Sequence, residues 1–174
     1  FRAWRRKVGL ILQDVILFPG PILENIRVYN DSISESQVRE AVSIVQLDDF
    51  IRELPDGLDS ELAERGQNVS QGEKQLISFA RALAFEADVI IMDEATASID
   101  PQTEAKIQRT MNRILSGKTA VIVAHRLTSV LDADEILYFS AGPITARGNH
   151  NTLLLISPEY RKLVELQLVG AQSE

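Results

Sequence analysis

An α/β fold built on a parallel sheet is what this sequence predicts. Short apolar runs at 8–12, 89–92 and 119–124 have the near-continuous hydrophobicity of strands buried inside such a sheet. Segments of helical periodicity alternate with them, which is how parallel strands are connected. From about Pro21 to Glu86 the chain turns mainly helical and more polar, so a helical subdomain is expected to interrupt the sheet. The expected division is a sheet core from 1–20 and 87–174, with a helical subdomain at 21–86.

Each element has its own signal. Val8-Gly9-Leu10-Ile11-Leu12 reads as a first buried strand ending at Gln13-Asp14, and Phe18-Pro19-Gly20-Pro21 marks a turn. Ser34 to Gln37 forms a capping box, followed at helical spacing by Val38, Ala41, Val42 and Val45. Leu54-Pro55-Asp56-Gly57 is another turn. The polar loop Glu64-Arg65-Gly66-Gln67-Asn68 leads to Ser70-Gln71-Gly72-Glu73, a second capping box. Its helix is expected to turn one face inward, carrying Leu76, Ile77, Ala80, Leu83 and Ala84. Val89-Ile90-Ile91-Met92 is the central strand, expected to be buried on both faces, and it stops at Asp93-Glu94. Asp100-Pro101 supplies a cap and a first-turn proline to a helix with Ile107, Met111, Ile114 and Leu115 inward. A further buried strand at 119–124 ends at His125-Arg126. Residues 135–139 and 144–146, parted by Ala141-Gly142-Pro143, read as a hairpin or sheet edge, and 158–168 as an amphipathic helix.

Composition narrows the chemistry. The chain has 174 residues, 45% of them hydrophobic, enough for one sizeable core and one domain. A net charge of -7 argues against nucleic acid as the main partner. With no cysteine, the chain has neither disulfides nor thiolate catalysis nor cysteine-ligated zinc. No apolar run approaches the roughly 20 residues of a membrane-spanning helix. Phe1-Arg2-Ala3-Trp4-Arg5-Arg6-Lys7 has no methionine and runs straight into a strand, which predicts a chain that begins inside a domain. Its basic cluster reads as a solvated flank.

The candidate chemistry gathers at strand ends. An apolar strand closing on Asp93 is the Walker B arrangement, in which a carboxylate holds Mg²⁺ beside nucleotide phosphates. Glu94 stands where it could orient or deprotonate an attacking water. A strand that merely ends in acidic residues fits the local pattern equally well. Gly117-Lys118-Thr119 has the ending of a phosphate-binding loop, but Asn112 stands where that motif requires glycine, and the triplet precedes a strand. It is a helix-to-strand turn. Ser70-Gln71-Gly72-Glu73 could offer helix N–H groups to an anion, although capping alone accounts for it locally. Gln13 and His125 are single residues at strand ends, where a glutamine could reach a metal or water and a histidine a γ-phosphate. His150, in a polar turn, reads as structural.

The order of these pieces carries more than any one of them. Gln13, then Val69-Ser70-Gln71-Gly72-Glu73, Asp93-Glu94, Ser98-Ile99-Asp100 and His125 together resemble the nucleotide-binding domain of ABC transporters, over essentially the whole chain. Leu54-Pro55-Asp56-Gly57-Leu58-Asp59, Glu64-Arg65-Gly66, Ala80-Arg81-Ala82-Leu83, Ala124-His125-Arg126-Leu127-Thr128 and Gly148-Asn149-His150 are similar to its exporter branch. The resemblance implies part of a P-loop-NTPase-type parallel sheet with an inserted helical subdomain, and ATP hydrolysis coupled to export. It implies ATP and Mg²⁺ as cofactors, on the cytoplasmic side of a membrane. The implied partners are a second nucleotide-binding domain, as homo- or heterodimer, a transmembrane domain, and the N-terminal part of the same domain. By the same resemblance Asp93 coordinates Mg²⁺, Glu94 acts on the water, and Gln13 links metal and water to the transmembrane domain. Ser70, Gln71, Gly72 and Glu73 belong to the signature motif, which acts on ATP held by the opposing domain. Ser98 and Asp100 belong to the D-loop, His125 is the switch histidine, and Glu64-Arg65-Gly66 is the X-loop.

Departures from the family pattern matter too. Glu73 replaces the usual glutamine and adds negative charge near a bound phosphate, which a capping box could partly neutralise. The Ser-Gln-Gly signature with Ser-Phe-Ala-Arg-Ala-Leu resembles one subunit of heterodimeric multidrug-type exporters. The family's P-loop lysine and adenine-stacking aromatic residue are not found in these residues, so the expectation is a C-terminal portion lacking the P-loop, weak in ATP binding and negligible in hydrolysis by itself. Uncovered strand edges are then expected to favour self-association. An ABC ATPase that serves no transporter, or a non-catalytic interaction module, is the alternative.

Overall fold

The computed structural model describes residues 7–93, 107, 109–111, 113–115, 117–124, 127 and 130–170. The chain divides into two compact units, residues 1–123 and 124–174.

In the first unit, strands β1 (Val8–Ile11), β4 (Val89–Asp93) and β5 (Thr119–Val123) form a parallel sheet in the order β1-β4-β5. Ile11 pairs with Met92 and Met92 with Ile122, so a row of apolar side chains crosses the sheet on one face. Between β1 and β4 come the short β2 (Gly20–Pro21), helices α1 (Ile22–Arg27), α2 (Glu35–Ile44) and α3 (Asp48–Glu53), then β3 (Glu61–Leu62) paired antiparallel with β2. Helix α4 (Gln71–Ala84) returns the chain to β4. Ile11, Ile77, Phe79, Ile90, Met92, Ile107 and Ile114 belong to one continuous core. The backbone at Gly9 is packed so closely that an added Cβ would meet Ile90 Cδ1 of β4 at 3.0 Å and Ala87 Cβ, just before β4, at 3.1 Å.

Both capping boxes form as the sequence predicts. Ser34 and Ser70 each accept from the third helical N–H, and Gln37 and Glu73 each reach back to the cap residue's own N–H. The expected single apolar face of α4 is too narrow a description. Gln75, Ser78, Phe79 and Ala82 are buried along with Leu76, Ile77 and Ala80, whereas Leu83 is half-buried. The helix lies between the sheet on one side and α1 and α2 on the other, so little of its circumference meets water.

The strand expectations also need correction. Only one face of β4 is fully buried, by Ile90 and Met92, while Val89 and Ile91 are half-buried. In β5, Val121 is 53% and Val123 52% exposed, because they lie on the face opposite the core, with Ile91, on a strand that is the edge of the sheet. Leu10 of β1, at the other edge, is 52% exposed.

The second unit holds the antiparallel hairpin β6 (Ile136–Phe139) and β7 (Ile144–Gly148), then α5 (His150–Ile156) and α6 (Pro158–Gly170). Its core is Ile136, Leu153, Tyr160 and Val164. His150, read as structural, pairs through Nδ1 with the Tyr160 hydroxyl at 2.8 Å. Among the described residues, no helix is long and apolar enough to cross a membrane.

Candidate functional site

A parallel sheet has two chemically different ends, and here they are easily told apart. At the amino end of the strands, Lys7 and Asp88 form an ion pair at 2.7 Å that ties the start of β1 to the start of β4. The hydrogen bond to Lys7 holds the Asp88 carboxyl below its ordinary 3.8 and raises the lysine. Lys118 donates from Nζ to the carbonyl of Ala87 at 2.5 Å, at this same end. Gly117 takes a φ of +74° to make the turn into β5. The Gly117-Lys118-Thr119 triplet is thus the helix-to-strand turn that the sequence indicates, at the amino end of the strands.

At the carboxyl end stands Asp93, the last residue of β4, half-buried and paired in register with Val123. Gln13 follows β1, the neighbouring parallel strand, and is exposed in the loop beyond it. Because the strands run in the same direction, the two residues emerge at the same end. Neither side chain has a hydrogen-bond partner among the described residues, so an oxygen of each remains available to a ligand. The carboxyl end of a parallel sheet is where such folds bind ligands. Glu94, Ser98, Asp100 and His125 lie outside the described residues.

Ser70, Gln71, Gly72 and Glu73 form the N-terminus of α4, with no hydrogen bond to Gln13 or Asp93 among the described residues. The Glu73 carboxylate accepts the Ser70 N–H at 2.7 Å, and the Ser70 hydroxyl accepts the Glu73 N–H at 3.2 Å. The acidic side chain that departs from the family pattern is therefore folded back on its own helix terminus, where a negative charge is favourable.

Packing connects this helix to the loop that begins at Gln13, through residues the sequence did not mark for this purpose. Leu17 is buried, and an added Cβ on Gly66 would lie 2.8 Å from Leu17 Cδ1 and 3.2 Å from Lys74 Cε. Gly66 also has a φ of +62°, so the Glu64-Arg65-Gly66 turn needs glycine for both reasons. Asn25, fully buried, accepts the Phe18 N–H at 2.8 Å and donates to the Phe18 and Pro21 carbonyls at 2.9 and 3.2 Å. Arg81 of α4 reaches the same loop, and burial lowers its pKa. No local motif announces Asn25, and Ala80-Arg81-Ala82-Leu83 points to a family without indicating this contact.

A parallel α/β sheet with a carboxylate closing its central strand and a helical insertion before that strand defines a nucleotide-binding domain of the P-loop-NTPase class. The chain belongs to the ABC transporter family, whose model matches residues 1–97. It is 45% identical over 163 residues to the "Uncharacterized ABC transporter ATP-binding protein YknV" of Bacillus subtilis (strain 168), covering 94% of this chain and 27% of that protein. To the "ATP-dependent lipid A-core flippase" of Syntrophus aciditrophicus (strain SB) it is 40% identical, again over 94% of this chain and 27% of the relative. Among solved structures, one titled "Structure of a bacterial Atm1-family ABC exporter with ATP bound" matches with a TM-score of 0.83 and 36% identity. That match covers 94% of this chain and 28% of the other. The chain thus spans little more than a quarter of the proteins it resembles.

Proposed function

We propose that this chain is the C-terminal portion of the ATP-binding and hydrolysing domain of an ABC exporter, coupling ATP hydrolysis to movement of a substrate across a membrane. The observation that carries the reading is the placement of Asp93 and Gln13 at one end of adjacent parallel strands, in a chain of this family. Residues 1–20 with 87–174 form the sheet core of the domain in this reading, and 21–86 its helical subdomain.

The donor set suits Mg²⁺, which takes one or two protein oxygens and keeps its remaining positions for water and phosphate. Asp93 supplies a carboxylate oxygen and Gln13 an amide oxygen. Bound there, Mg²⁺ would offset the negative charge of the phosphates. Glu94 then orients the attacking water and takes its proton, and His125 donates toward the γ-phosphate. Ser70, Gln71, Gly72 and Glu73 present the N-terminus of α4 to nucleotide on a second domain, with Ser98 and Asp100 lining the contact. Partners are accordingly a second nucleotide-binding domain and a transmembrane domain, with this portion on the cytoplasmic side.

The test uses the complete protein. Glu94→Gln is expected to lower ATP hydrolysis by about a hundredfold or more, the range of a lost general base, while ATP binding persists. Hydrolysis at the native rate would overturn the assignment.

A further inference from the structure

We propose that Arg81 is a positioning residue, whose guanidinium clamps the loop that begins at Gln13 onto the helix that Ser70 caps, so that these two parts of the site move as one body. Its role in turnover rests on the reading of Gln13 just given; the clamp itself rests on geometry alone.

Arg81 donates from Nε to the Asn25 carbonyl at 3.0 Å, and from Nη1 and Nη2 to the Ile16 carbonyl at 3.2 Å each. These partners lie 56 and 65 residues away in sequence, so the bonds join separate elements instead of decorating one helix. Among the described residues, the bonds of this cation run to main-chain carbonyls and to no carboxylate. Arg81 is half-buried, and drawing a cation even partly from water without an opposite charge is unfavourable, so an apolar side chain would fill the space more cheaply. The guanidinium offers something else: a rigid fork of N–H groups that can hold two carbonyls in a fixed relation.

The loop is pinned at consecutive residues. Ile16 is held by Arg81, Leu17 is lodged against Gly66, and Phe18 is bonded on both its N–H and its carbonyl by Asn25. The Asn25 carbonyl is itself the second acceptor of Arg81, which makes the network continuous from α4 to the turn at Pro21. Gln13 stays exposed at the unpinned start of the same loop. A shift of α4 is therefore transmitted at once to the chain a few residues from Gln13, and the reverse holds as well.

Two variants of the complete protein separate this role from simple packing. Arg81→Lys keeps the charge but cannot fork, and Arg81→Met keeps the stem but loses the donors. Amide hydrogen exchange across residues 14–20 is expected to quicken about tenfold or more in both variants, with α4 keeping its protection. Unchanged loop exchange, or equal loss of protection along α4, would overturn the clamp. Arg81→Lys is also expected to lower kcat about tenfold alone but less than about twofold in a Gln13→Ala background, the signature of coupled positions. Fully additive losses would overturn the positioning role. Native turnover in Gln13→Ala alone would overturn the reading of Gln13 together with that role, and the exchange result would still decide the clamp.

Discussion

Glu73 stands where the sequence resemblance leads one to expect glutamine, and the structure shows what the carboxylate does locally. The carboxylate is committed to the Ser70 N–H at 2.7 Å, so its charge sits on the helix terminus and does not project freely. An amide oxygen can accept the same hydrogen bond. Glu73→Gln should therefore keep the capping box, lower stability by no more than about 1 kcal/mol through the lost charge–dipole term, and leave turnover of the complete protein unchanged or raised. Steady-state ATP hydrolysis checks this, and a large fall would refute it. This side chain was readable in the sequence because its partner is three residues away. The contacts of Arg81 were not, because its acceptors are brought to it by the fold from 56 and 65 residues off, and nothing near it in the helix indicates them.

At the scale of elements, local signals placed β1, β4, β5, the β6–β7 hairpin, α2, α4 and α6, but not the short α1, α3, α5, β2 and β3, and tertiary position decided how much of each is buried. The runs at 89–92 and 119–124 look alike in sequence, yet Ile90 and Met92 are buried whereas Val121 and Val123 stand open. The difference is first one of face, since Ile90 and Met92 point into the core shared with Ile77 and Phe79 while Val121 and Val123 lie on the opposite face with Ile91. It is second one of position, since β4 has a neighbour on both sides and β5 on one. The hairpin β6–β7 follows its turn residues faithfully, and its inner face packs on α5 and α6. There Tyr160 stacks edge-on against Tyr138, with ring centroids 5.8 Å apart, and its hydroxyl hydrogen-bonds His150 Nδ1. Burial disfavours the phenolate and raises the Tyr160 pKa above its ordinary 10.0. The unfolded chain thus loses this proton at lower pH than the folded one. The stabilisation is complete below about pH 10 and is lost as the pH rises through the folded value. Urea midpoints measured from about pH 7 to 11 should fall more steeply for the native chain than for Tyr160→Phe. At neutral pH that variant should be weaker by about 1 kcal/mol, for the hydrogen bond it gives up. Parallel slopes above pH 10 would show that Tyr160 is not the group being titrated.

For the molecule as a whole, the open side of the sheet is the dominant feature. Leu10, Ile91 and Val121 stand in register across β1, β4 and β5 and so share one face, with Val123 next along β5. Leu10, Val121 and Val123 are each more than half exposed. A row of open apolar side chains reaching the sheet edge is both an apolar patch and a neighbour to unpaired N–H and carbonyl groups. The chain spans only 28% of the exporter structure it matches, and among the described residues this patch stands bare. Purified by itself, the 174-residue chain is expected to self-associate at concentrations of about 10–100 µM, the range in which exposed strand edges find one another. Replacing Val121 and Val123 together by lysine puts like charges on the contact and should shift sedimentation toward the monomer, while circular dichroism stays unchanged because both side chains already face water. A native chain that sediments as a monomer throughout that range would show that the face is tolerated in solution. If the double variant associated as strongly as the native chain, the contact would lie elsewhere, with the exposed Leu155 and Ile156 of α5 the next surface to substitute.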